Sequence, residues 1–169
     1  MRSLACLPRS SPHVVLVAAL AMLAALAVMP TAAATLPYDA SADARADIRG
    51  ALAQAQRTHR NVLVVFGANW CEDCRALDKA LHAPRNAALM AKAFEVVKVD
   101  VGKFDRNLDV AADYGNAVAK GIPSAVVLSP AGTIVYATRA GELADARQMS
   151  ETGVHDFFDR VVRSAPARR

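Results

Sequence analysis

The chain has 169 residues, 54% of them hydrophobic, with 20 basic side chains against 16 acidic ones. That length suits one ordinary domain with a real core, and three cysteines are too few for a scaffold stapled by several disulfides. The formal charge of +4 is spread with alternating sign, and only Arg163, Arg168 and Arg169 make a locally basic end, so the surface reads as solvated and not as a nucleic-acid-binding stripe.

The N-terminus comes first. Arg2 and Arg9 precede Val14 to Val28, an unbroken run of 15 apolar residues. Pro30 and Ala32-Ala33-Ala34 follow, in the small-x-small pattern cut by signal peptidase. Residues 1–34 therefore read as a cleaved secretory signal. The alternative is an uncleaved N-terminal membrane anchor, for which the run is short, since a spanning helix needs about 20 residues. Cys6 lies before the apolar run, which excludes a lipoprotein. Cleavage leaves 135 residues, Cys71 and Cys74 as the only cysteines, and 18 basic against 16 acidic side chains. The expected location is periplasmic or secreted.

Residues 35–41 read as an extended lead-in, because Pro37 and Tyr38 start no helix. Residues 42–58 place Ala44, Ile48, Ala51, Leu52 and Ala55 on one helical stripe, with Asp43 and Asp47 early, where they suit the dipole. Asn61 to Gly67 is a continuous apolar run, expected as a strand covered on both faces. Asn69-Trp70-Cys71-Glu72-Asp73-Cys74 follows and opens a helix over 75–82. A cysteine at a helix start feels unpaired N–H groups and the positive dipole end, which favour the reactive thiolate. Three-residue spacing puts both sulfurs on the first turn, close enough to bridge. Such a bridge closes almost no loop and adds little stability, so the pair points to chemistry. The competing readings are half of a zinc site or an idle bridge. A structural zinc needs four ligands, and His59, His82 and His155 are scattered. None of the three sits where it could activate Cys71 as a papain-like nucleophile.

Pro84 breaks that helix, and residues 86–93 form a second helical piece. A strand over 94–101 and a short helix over 107–114 follow, with Gly115 as a C-terminal cap. After Gly121-Ile122-Pro123, a strand over 124–128 and its partner over 133–137 flank the turn Pro130-Ala131-Gly132. Residues 139–150 carry no period. Val154, Phe157, Phe158, Val161 and Val162 mark the last helix at i, i+3, i+4, i+7 and i+8. Residues 164–169 are expected as a disordered basic tail. The sum is an α/β fold with a four-stranded mixed central sheet and helices on both faces. Parallel crossovers link its strands, and a late hairpin makes an antiparallel edge. No Gly-rich phosphate loop occurs, so no cofactor is implied.

The order of elements, Trp70-Cys71-x-x-Cys74 after the first buried strand, and Gly121-Ile122-Pro123 before the hairpin together resemble the thioredoxin superfamily over residues 42–163. Small exported thioredoxin-like proteins of bacterial envelopes are the nearest likeness. The resemblance implies that Cys71 attacks a substrate disulfide and Cys74 resolves the mixed disulfide. It also implies a cis Ile122–Pro123 bond beside the cysteines, backbone pairing of substrate with Ile122, and a flanking Trp70.

The chain departs from thioredoxin at three places. Val65 stands where a buried carboxylate would accept the proton of Cys74, and Lys98, that carboxylate's usual neighbour, is left without its partner, an ordinary strand lysine with a solvated tip. Glu72-Asp73 replaces Gly-Pro between the cysteines. Three extra residues lengthen the loop between Tyr114-Gly115 and Gly121-Ile122-Pro123. Two carboxylates beside the sulfurs disfavour thiolate, which disfavours the dithiol state and makes the couple reducing. Either carboxylate is also a candidate for the missing proton acceptor. The expected function is an exported protein-disulfide reductase that acts as a monomer. Its partners are protein disulfides and a membrane-bound thiol donor. The alternatives are a disulfide oxidase or isomerase, or a copper-binding module whose soft thiolates suit Cu(I).

Overall fold

The computed structural model describes residues 36–165. The proposed signal at 1–34 lies outside the described residues, as does 166–169 of the tail. Helix α1 (Ala44–Thr58) begins at Asp43, whose carboxylate accepts from the Ala46 N–H. It leads to β1 (Asn61–Gly67), every residue of which is buried. Helix α2 (Glu72–Leu81) and α3 (Pro84–Ala93) follow, with Pro84 in the first turn of α3, where its missing N–H costs nothing. Next come β2 (Phe94–Asp100), the short α4 (Leu108–Asp113), β3 (Ser124–Leu128), β4 (Ile134–Ala137), a 3-10 turn (Ala146–Gln148) and α5 (Glu151–Ser164).

The sheet order is β2-β1-β3-β4. Only β1 and β2 are parallel; β3 runs antiparallel to β1, and β4 antiparallel to β3. The expected parallel crossovers are thus limited to the one through α2 and α3. After β2 the connection through α4 does not return along the sheet, and β3 starts at the end where β1 and β2 finish. Ser124 pairs with Phe66, and Pro123 arrives beside the loop that follows β1.

Strand alternation divides the core in two. Val62, Val64 and Phe66 face α1 and α4 and pack with Ile48, Ala55 and Val110. Leu63 and Val65 face the other side and pack with Leu77, Met90, Phe158 and Val161 from α2, α3 and α5. Helices therefore cover both faces, and the cysteine pair sits where β1 hands over to α2.

Two boundary segments are more ordered than their patterns suggest. Tyr38, in the lead-in, is buried, and its backbone N–H and carbonyl both bond to the Asn69 side chain at 3.0 and 2.6 Å. Ser164 still belongs to α5, and the buried Ala165 accepts from the Asn61 amide at 2.6 Å. These two residues, expected in the tail, are held because the start of β1 needs that carbonyl to satisfy a buried amide.

Candidate active site

Cys71 is the N-cap of α2, with extended backbone (φ −75°, ψ 116°), and its sulfur accepts from the Cys74 N–H at 3.1 Å. One first-turn N–H of α2 is thus satisfied by Cys71 Sγ, which sits at the positive end of the helix. Cys71 and Cys74 stand at disulfide distance, with Cα atoms 5.2 Å apart. Cys71 keeps 6% of its surface and Cys74 none, so the first cysteine is the one nearer solvent. Ile122–Pro123 is cis, and the Ile122 carbonyl oxygen lies 3.7 Å from Cys71 Sγ. The structure thus brings Cys71, Cys74, Ile122 and Pro123 together, across a sequence separation that only the β1–β3 pairing closes.

The loop ahead of Cys71 is braced. Besides its bonds to Tyr38, Asn69 accepts through its carbonyl from the Arg75 guanidinium at 2.7 Å. Trp70 is 53% exposed; its indole N–H donates to Gly102 O at 2.7 Å, and its ring meets the exposed Phe104 edge-on with centroids 6.4 Å apart. Phe104 has φ 62°, a left-handed conformation that a bulky residue rarely adopts. Trp70 is therefore a fixed surface beside the sulfurs and not a core side chain.

One expectation is corrected, and Glu72 and Asp73 gain a partner. Lys98 does not stand alone: Val65 lies opposite it in register, and its ammonium forms an ion pair with Asp78 of α2. Asp78 sits one helical turn beyond Cys74, on the element that covers this face, so the lysine's counter-charge comes from a helix where the strand offers none. Glu72 and Asp73 are not free carboxylates. Arg147, from the 3-10 turn, places its guanidinium 3.0 Å from Glu72 and 3.8 Å from Asp73, and its backbone N–H donates to Asp73 at 2.9 Å.

Sequence reasoning missed both Arg147 and Asp78. For Asp78 a signal existed, its i+4 spacing from Cys74. For Arg147 there was none, because the segment over 139–150 has no period and meets α2 only in the folded molecule. Among the described residues no three His, Cys, Asp or Glu side chains gather as a metal site, and no helix is long and apolar enough to cross a membrane.

Comparison with known proteins gives three findings. A family model described as thioredoxin-like matches residues 43–130. A crystal structure of a disulphide isomerase from Xylella fastidiosa Temecula1 is 54% identical, with a TM-score of 0.76 over 77% of this chain and 99% of that one. A structure described as the DsbH oxidoreductase is 18% identical, with a TM-score of 0.51 over 84% of this chain and 92% of that one, a likeness of fold alone. No curated protein matches the chain.

Proposed function

The chain belongs to the thioredoxin-like family, and on that footing we propose that it is an exported thiol–disulfide oxidoreductase that attacks protein disulfides from its dithiol state. The observation that carries this reading is the asymmetry of the pair: Cys71 caps α2 and lies nearer solvent, while Cys74 is sealed behind it. The Cys71 thiolate attacks one sulfur of a substrate disulfide. A bond forms between Cys71 and that sulfur, and the other substrate sulfur leaves as thiolate and takes up a proton. Cys74 gives up its proton, and its thiolate then attacks Cys71, closing the Cys71–Cys74 bridge and releasing the second substrate thiol. Two electrons pass from protein to substrate, and one disulfide is exchanged for another. The Ile122 backbone, with its carbonyl 3.7 Å from Cys71 Sγ, is assigned to pair with an extended substrate strand, and Trp70 offers an apolar face next to it.

We assign net reduction as the direction, because Glu72 and Asp73 carry two negative charges against the single positive charge of Arg147 and still disfavour the thiolate; since an oxidising compartment supplies no soluble reductant, a membrane-bound thiol donor would restore the dithiol. Localisation outside the cytoplasm rests on the signal-like residues 1–34. Isomerisation is the second reading, supported by the 54% identical protein described as a disulphide isomerase. It shares the first step and differs in that the substrate's own thiol resolves the mixed disulfide.

The test has two parts. The Cys71–Cys74 potential of the purified protein is expected near −270 mV, the thioredoxin value; a value near −120 mV would mean a disulfide-forming oxidant instead. Cys74→Ser is expected to accumulate a mixed disulfide through Cys71, and Cys71→Ser to form none. Reactivation of a substrate with scrambled disulfides, without net loss of bridges, would favour isomerisation.

A further inference from the structure

The segment over 139–150 is built to hold one side chain against the two residues between the cysteines. Glu142 folds back and accepts from the backbone N–H groups of Arg139 and Ala140, each at 3.0 Å. Leu143 and Ala146 are buried against the core. The 3-10 turn that follows presents Arg147, with its guanidinium on Glu72 and Asp73, the two residues between the cysteines.

We propose that Arg147 is a positioning residue of the redox centre, whose positive charge offsets Glu72 and Asp73 and thereby stabilises the Cys71 thiolate. The proposal rests on the thiol–disulfide reading above and concerns how readily that same sulfur ionises. Two uncompensated carboxylates beside a sulfur raise the free energy of its thiolate, and a guanidinium among them lowers it.

The other charges around Cys71 lie on partners other than Glu72 and Asp73 and are common to wild type and variant. On α2, Arg75 is turned to the Asn69 carbonyl, and Asp78 is paired with Lys98 of β2. At the end of β2, Asp100 has Arg106 at 3.5 Å. The lead-in contributes the buried phenol of Tyr38, and the segment before β3 contributes the Ile122 carbonyl. Among the described residues, no other basic side chain contacts Glu72 or Asp73.

The geometry also separates charge from scaffolding. The loop is tied to Asp73 through the backbone N–H of Arg147, a bond that any side chain at that position keeps. Arg147→Gln therefore removes the charge and leaves the tie.

The experiment follows the pH dependence of Cys71 alkylation in the reduced, purified protein, read by mass spectrometry on the Cys71 peptide. Arg147→Gln is expected to raise the apparent Cys71 pKa by about half a unit to one unit, leaving roughly three to ten times less thiolate at any pH below it. Arg147→Lys should return the value close to wild type. In the Glu72→Gln, Asp73→Asn background, where the amide oxygen introduced in place of the Asp73 carboxylate still accepts the loop N–H, Arg147→Gln should have no effect. The proposal is overturned by an unchanged pKa in Arg147→Gln. It is equally overturned if Arg147→Lys shifts as far as Arg147→Gln, or if the shift persists without the carboxylates. Failure of the wild-type pair to cycle with dithiothreitol would sink the oxidoreductase reading itself, a result distinct from all of these.

Discussion

Val65 and Lys98 face each other across β1 and β2, and the negative charge that Val65 lacks comes from Asp78, on the helix packed over them. Both partners keep only about a quarter of their side-chain surface, so neither is fully solvated. Removing one partner of such a pair leaves the other with its desolvation cost and no compensation. Asp78→Asn is therefore expected to lower stability by about 1–2 kcal/mol in urea unfolding, and Lys98→Met by a similar amount, since each strands the other's charge, whereas the double variant removes both charges and should cost less than the two losses summed. Strictly additive losses would mean that the pair is solvated and contributes little.

At the scale of elements, α2 and the segment over 139–150 form one device. The start of α2 supplies the Cys74 N–H that donates to Cys71 Sγ, and the segment supplies the charge that answers Glu72 and Asp73. Glu142 holds that segment in shape. Its partial burial disfavours ionisation, but the backbone N–H groups of its own turn outweigh that and hold its carboxyl below the ordinary value of 4.5. A depressed folded-state pKa contributes stability that is complete above the unfolded value and lost as pH falls through the folded one. The loop should thus loosen below pH 4.5. Asp39 and Asp109, also held low by their hydrogen bonds, act in the same direction in every variant. The wild type should lose more stability between about pH 5.5 and pH 3 than Glu142→Gln does, measured as urea midpoints. Parallel pH curves for the two proteins would show that Glu142 does not hold the loop.

For the whole molecule, the lead-in is what closes the active-site end. Tyr38 lies over Gly67, where a Cβ would run into its ring, and joins the core on the α1 side of the sheet. Its burial, with the nearby Asp78 and Asp100 charges adding to the effect, pushes the phenol well above its ordinary value of 10. A raised folded-state pKa means stability that is complete below the unfolded value and lost as pH climbs towards the folded one. Wild-type protein should therefore lose stability above about pH 10 faster than Tyr38→Phe, with lysines and other tyrosines common to both curves. Tyr38→Ala should cost about 3 kcal/mol or more at neutral pH, as a large aromatic leaves a cavity beside the active-site loop. An undiminished midpoint would mean that the lead-in is dispensable.

Much of the fold was legible in the residues themselves. The apolar run of β1, the helical stripe of α5 and the cysteine spacing are local patterns, set within a few residues by periodicity and by the chemistry of a helix start. The positions of Ile122 and Pro123 were legible through a family likeness, whereas the antiparallel direction of the β3 that delivers them was not. Arg147 and Tyr38 were invisible as partners, and the spacing of Asp78 from Cys74 gave its face of the helix but not its pairing with Lys98. Each makes its contact across a long stretch of chain, and no pattern at 3.6 or 2 residues encodes which charge on a loop will meet which carboxylate on a helix. Local patterns in the chain were enough to set the reactive pair and the scaffold under it. Which charges surround that pair emerged only in the packed molecule, because charge compensation depends on distances between elements that packing alone sets.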